Sequence, residues 1–147
     1  MLVTASADST VRLWNAHTGE PFTNVFKHDS GVASARFSPD GGLLVTASDD
    51  GTARIWEVRS GIILSSIPGT ELLHHRAEIL SAHFDPFGQR VVTSSLGGSF
   101  RFWDAQTGYP ISEQLPGGAG WTQFSPGSLY VLTGSPVPGH VSIWERF

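Results

Sequence analysis

Residues 2–15 read LVTASADSTVRLWN and residues 44–57 read LVTASDDGTARIWE, identical at nine of 14 positions without a gap. A third copy, VVTSSLGGSFRFWD at residues 91–104, matches the second at six of 14. Four tryptophans close the copies, Trp14, Trp56, Trp103 and Trp144, spaced by 42, 47 and 41 residues. A second marker precedes the last three: FSPDG at 37–41, FDPFG at 84–88 and FSPG at 124–127, with 19, 19 and 20 residues from Phe to Trp. A third marker follows, since Thr18-Gly19, Ser60-Gly61 and Thr107-Gly108 each stand four and five residues beyond a Trp. Three markers in phase define a repeat of about 42 residues, the period of stacked supersecondary units.

Each unit reads as strands. Residues 32–37, 43–48, 52–56 and 62–67 are short runs rich in β-formers. Pro39-Asp40-Gly41-Gly42 and Asp49-Asp50-Gly51 punctuate them, and Asp-Gly marks a hairpin because the turn needs a positive φ that glycine adopts freely. No segment sustains a 3.6-residue apolar period, so an all-β chain without helix is expected. In the run at 10–14, Thr10, Arg12 and Trp14 point one way while Val11 and Leu13 point the other. Large groups on both faces fit a sheet packed between two neighbours. Such a unit cannot bury itself alone; stacking supplies its core.

These residues resemble the WD-repeat β-propeller family along nearly the whole chain. The closing pairs here are Trp14-Asn15, Trp56-Glu57, Trp103-Asp104 and Trp144-Glu145, one of them literally Trp-Asp. The family's Gly-His element is degraded to Lys27-His28 and His74-His75, and is absent before Trp121. The resemblance implies antiparallel four-stranded blades, with units at about 1–28 (partial), 29–75, 76–120 and 121–147 (partial). It also implies a buried hydrogen-bond chain joining a His, a turn Asp, a strand Ser or Thr, and the Trp. The second unit has the set whole: His28, Asp50, Thr46 and Trp56. The first has Thr4, Asp8 and Trp14 without an upstream His. The third has His75, Thr93 and Trp103, with Gly97 where Asp should stand. The fourth has Thr133 and Trp144, with Pro136-Val137-Pro138 in place of the turn. The chemistry is coherent, because an indole N–H only donates, a carboxylate only accepts, and a hydroxyl and an imidazole bridge them.

Closed propellers use about four to eight blades, whereas 147 residues hold three and a half units. The expectation is an open arc: residues 1–4 align on 43–46, inside a strand, and Trp144 closes an inner strand near the end. By resemblance this is the C-terminal part of a longer propeller, completed by blades from an upstream segment or by a second copy of the chain.

Composition bounds the rest. Hydrophobic residues make up 39% and charged residues 15%, which argues against disorder. Nine Lys+Arg against 13 Asp+Glu, for a net charge of −4, is a poor match to nucleic acid. No apolar run is long enough to span a bilayer, and no basic-then-apolar leader opens the chain. Zero cysteines remove disulfides and thiol chemistry. A cytoplasmic location is the expectation.

Several motifs invite chemistry and are read as structural. The recurrent Ser/Thr, His and Asp serve each unit's Trp rather than a catalytic triad. His74-His75 with Glu78, His83 and Asp85 could be drawn as a zinc site; a solvated loop plus a strand histidine is preferred, so no metal or cofactor is expected. Gly117-Gly118-Ala119-Gly120 lacks the Lys-Ser/Thr of a phosphate loop, and Asp49-Asp50-Gly51 has too few spaced oxygens for calcium. Arg12, Arg54 and Arg101 recur two residues before a Trp, as stems packed between units. Trp121, unmatched in the other copies, is taken as core rather than as an exposed anchor.

The functional expectation is a protein-protein interaction scaffold without catalysis, binding a protein or peptide on the end that bears the turns between second and third strands. The residue beside each turn Asp marks that end: Ala7, Asp49 and Leu96. Two alternatives stand beside it. One is a sensor or regulatory propeller fragment of a larger multidomain protein. The other is a ligand-binding or enzymatic propeller with a central-channel site, for which the inner strands offer little beyond Arg36 and His83.

Overall fold

Short β-runs separated by glycine turns pair with their nearest neighbours in sequence, and each group of three or four becomes one antiparallel sheet. The computed structural model describes residues 1–68, 77–117, 120–134 and 140–145, with the backbone alone over 64–68. The first sheet has β1 (Leu2–Ala5), β2 (Thr10–Trp14) and β3 (Pro21–Lys27). The second has β4 (Val32–Phe37), β5 (Leu43–Ser48), β6 (Thr52–Glu57) and β7 (Ile63–Pro68). The third has β8 (Ile79–Phe84), β9 (Arg90–Ser95), β10 (Ser99–Asp104) and the two-residue β11 (Leu115–Pro116). The fourth has β12 (Trp121–Phe124), β13 (Tyr130–Gly134) and β14 (Val141–Glu145). No helix occurs among the described residues. The fold is an all-β, open stack of four sheets: an incomplete propeller.

One packing rule joins the sheets, and it follows from strand alternation. Each Trp shares a face with the aliphatic residue paired to it on the strand before, while the residues one and three before it point the opposite way. Leu44 and Trp56 of the second sheet pack on Val11 and Leu13 of the first, with Phe26 edge-on to the indole at 5.1 Å. Val91 and Trp103 pack on Ala53 and Ile55. Val131 and Trp144 pack on Phe100 and Phe102. Each fully buried Leu, Ile or Val contributes roughly 1.5–3 kcal/mol by leaving water, so the core is three layers between sheets rather than one centre.

Polar bonds stitch the same junctions. Ala82 N–H donates to Ser34 Oγ at 3.3 Å between the second and third sheets. Between the third and fourth, Ser81 Oγ lies 3.3 Å from Thr122 Oγ1, and Ser128 Oγ donates to Asp85 Oδ2 at 3.1 Å.

Trp121 is not core. Its side chain is 44% exposed, and the indole lies directly over Gly134, leaving no room for a Cβ there. The reason is position. Trp121 occupies the face of the fourth sheet that points away from the third, where no further sheet packs among the described residues.

Candidate functional site: the turn end and its hydrogen-bond chain

The hairpin between β5 and β6 builds the best-developed site. Gly51 takes φ +82°, turning the chain so that Asp50 points inward. Asp50 Oδ1 accepts Thr52 N–H at 2.8 Å and Thr52 Oγ1 at 2.6 Å. Its Oδ2 accepts Asp29 N–H at 3.0 Å and lies 3.0 Å from His28 Nδ1. Burial alone pushes this carboxyl up, but the Thr52 hydroxyl, the two backbone N–H groups and His28 outweigh it and hold the pKa at about 2. His28 Nε2 is 2.7 Å from Thr46 Oγ1, which accepts Trp56 Nε1–H at 2.9 Å. Burial lowers the His28 pKa despite the neighbouring Asp50. A neutral imidazole protonated on Nδ1 then satisfies the row: indole N–H to Thr46, Thr46 O–H to His28, His28 N–H to Asp50. Each hydrogen leads toward the buried carboxylate, leaving no free nucleophile or base.

The other sheets keep part of this row. Trp14 Nε1 donates to Thr4 Oγ1 at 2.8 Å, Trp103 to Thr93 at 2.8 Å, and Trp144 to Thr133 at 3.0 Å. Asp8 does not join its Thr4–Trp14 pair. It turns locally, its Oδ1 accepting Thr10 Oγ1 at 2.6 Å and Thr10 N–H at 2.9 Å, and the Thr10 hydroxyl lowers its pKa. His75 and Pro136-Val137-Pro138 lie outside the described residues.

Arginine positions diverge. Arg54 donates to Lys27 C=O at 2.9 Å and to Asp29 Oδ2 at 3.1 Å, clamping the chain that enters β4. Arg101 lies over Trp103 at 4.9 Å and donates to Ser112 C=O at 2.9 Å, while Arg12 is exposed. They form no common anion stripe.

The drawn metal set comes apart. Asp85 lies just past β8, buried, its Oδ1 accepting Gln89 N–H at 2.8 Å and Arg90 N–H at 3.1 Å. His83 is half-buried, its pKa lowered by burial and then by the charge of Arg36. His74 and His75 lie outside the described residues, and among those described no three His, Cys, Asp or Glu side chains are grouped to hold a metal. Gly118 and Ala119 are likewise outside them; Gly117 takes φ +108° and donates its N–H to Gly98 C=O at 2.8 Å.

Ala7, Asp49 and Leu96 are all exposed, in the turns β1–β2, β5–β6 and β9–β10, each just before a Trp-bearing strand. Asp49 N–H donates to Gly31 C=O and Leu96 N–H to Glu78 C=O, both at 2.9 Å, so inner-strand entries brace the turns. Neighbouring turns meet through Gly31, whose Cβ position would be 3.5 Å from Ala7 and 2.8 Å from Asp49 Oδ2. Ala77 sits between the turn glycines Gly51 and Gly97. The three residues therefore share one end of the stack. Sequence reasoning missed the Asp85–Ser128 link; its one trace is an acid in the marker where the other copies carry Ser38 and Ser125.

A stack of sheets with a Trp–Thr bond in each defines the class as a repeat propeller segment. The WD domain, G-beta repeat family matches residues 1–15, 19–57 and 67–104, more than half of the chain, and the chain belongs to that family. The fourth sheet falls outside the matched stretches yet carries the same bond. The chain is similar to F-box-like/WD repeat-containing protein TBL1Y of Homo sapiens and to TBL1X of Mus musculus, each 51% identical over 41 residues. That segment is 28% of this chain and 8% of either relative, so the match spans a small part of their length. No helix of the described residues is long and apolar enough to cross a membrane.

Proposed function

We propose that the chain is a protein-interaction scaffold without catalysis, binding a protein or peptide through the turn end that carries Ala7, Asp49 and Leu96. The observation that carries this reading is the bracing of exposed turns on a layered frame. Asp49 and Leu96 are held by matching backbone bonds at 2.9 Å, while their side chains face water. Rigid frames that display variable loop positions are suited to binding, because the frame removes the ordering cost from the loops. Within the described network every acid and hydroxyl is committed to a partner, which supports a binding role over acid–base chemistry.

The test is affinity capture with the native chain against two variants. Asp49→Arg combined with Leu96→Arg should lose the captured protein, while Phe87→Arg, in a different turn of the third sheet, should retain it. Equal capture by all three chains contradicts the assignment of the turn end.

A further inference from the structure

The row from Trp56 to Asp50 has a direction, and one proton reverses part of it. Thr46 Oγ1 accepts the indole N–H at 2.9 Å and gives its own hydrogen to His28 Nε2 at 2.7 Å. A second ring proton turns Nε2 from acceptor into donor. Thr46 then receives two hydrogens and must send its own to Arg54 C=O, 3.4 Å away and at the edge of hydrogen-bond reach. The new charge also stands on a buried ring. The Asp50 carboxylate faces it but is shared: Thr52 N–H and Oγ1 bond Oδ1, while Asp29 N–H and Arg54 Nη2 sit on Oδ2 at 3.0 and 3.5 Å. The other charged groups nearby are Asp29, held by Arg54 and open to water, and the exposed Lys27. From the first sheet an uncharged group meets His28, since Ser9 C=O accepts its backbone N–H at 3.0 Å.

We propose that this row is a proton-operated latch on the turn end: proton uptake by His28 releases the turn at 48–51 together with the linker at 28–31 that braces it. The groups around His28 are the ones that hold both segments. Asp29 N–H ties the linker to Asp50, and Arg54 ties Lys27 C=O and the Asp29 carboxylate to β6. Ser48 Oγ and Asp49 N–H both donate to Gly31 C=O at 2.9 Å. Burial sets the closed imidazole below its ordinary 6.5, so an opened, hydrated His28 binds the proton more tightly and acid favours opening. The first sheet supplies the contrast. Asp8 accepts Thr10 N–H and hydroxyl as Asp50 accepts those of Thr52, and no histidine joins it among the described residues. Regulation of binding by this latch rests on the turn-end reading, because Asp49 lies in the released turn; the latch itself does not.

Amide hydrogen exchange on the full chain, read by NMR between pH 7.5 and 5.0 and corrected for intrinsic rates, tests it. Protection of the Thr52 and Asp29 amides should fall as pH drops below 6.5, by up to about tenfold per pH unit for one proton. The Thr10 amide, which bonds Asp8 in the same way, should stay level. Asp50 stays a carboxylate throughout this range, its pKa being about 2. The His28 ring signals should titrate with a midpoint below 6.5. His28→Gln should make protection at Thr52 and Asp29 independent of pH, and the native titration decides the matter by itself if that variant does not fold. Level protection at all three amides or an equal fall at Thr10 would overturn the proposal. So would a His28 midpoint above 6.5, because the ion pair with Asp50 would then tighten the row in acid. The experiment uses no partner, so its failure is distinct from a failure of the turn-end assignment.

Discussion

Trp56 donates its indole N–H to Thr46 Oγ1 at 2.9 Å, diagonally across two antiparallel strands, and the same bond joins the closing Trp of every sheet to a threonine ten or eleven residues earlier. The bond is longer-lived in the sequence than the histidine and aspartate that complete it in the second sheet. Its strength therefore depends on what lies behind the hydroxyl.

Thr46→Val removes the hydroxyl with little change of shape and leaves the buried Trp56 N–H and His28 Nε2 without their partner. It should cost about 1–3 kcal/mol. Thr4→Val should cost less, since Thr4 is exposed and water can replace it. Urea unfolding midpoints compare the two; a larger loss for Thr4→Val would contradict the burial argument.

Asp50→Ala removes an inward carboxylate that accepts five hydrogen bonds, whereas Asp49→Ala trims an exposed side chain. The first should destabilise by about 1.5–3 kcal/mol, and the second by about 0.5 kcal/mol or less. Equal melting shifts would mean that the inward carboxylate is not the anchor.

Acid should weaken the fold in two stages. His28 has a folded pKa below its ordinary 6.5, so the unfolded chain binds the proton first and stability falls as pH drops below 6.5. His83 acts in the same direction. Asp50 has a folded pKa of about 2 against 3.8, so its contribution is whole above 3.8 and is lost as pH falls toward 2. Unfolding midpoints at pH 7.5, 5.0 and 3.0 check both stages. His28→Gln should flatten the first; an unchanged slope would remove His28 as its source.

Ser9 and Ser128 both hold positive φ, 72° and 56°, where glycine is unstrained. Ser9→Gly should stabilise by about 1 kcal/mol, by relieving that strain. At Ser128 the hydroxyl also bonds buried Asp85 of the preceding sheet. Ser128→Ala should therefore cost about 1–3 kcal/mol, and Ser128→Gly less than Ser128→Ala. Thermal melts that rank Ala above Gly at Ser128 would show that the backbone strain is negligible.

Much of the fold is legible because both strand and turn are local events. The runs at 32–37 and 43–48 coincide with β4 and β5, and Gly51 supplies the positive φ its turn needs. The candidate site is legible where a residue's partner recurs at a set spacing, as Thr46 and Trp56 do. It is not legible where the partner comes from another sheet. Asp8 and Asp50 each accept from the threonine two residues on, and the His28 that distinguishes Asp50 was already legible through the resemblance. Asp85 reads as a turn acid until the fold brings Ser128 to it across 43 residues.

The chain's sequence alone determined that β-hairpins form, where they turn, and that a Trp closes each unit, because alternation and glycine φ act within a few residues. Tertiary packing alone decided which acid is buried, why Trp121 lies on an open face, and how successive turns are braced. Those outcomes depend on which sheet stands next in space, and burial and desolvation belong to neighbours that no short stretch of chain contains.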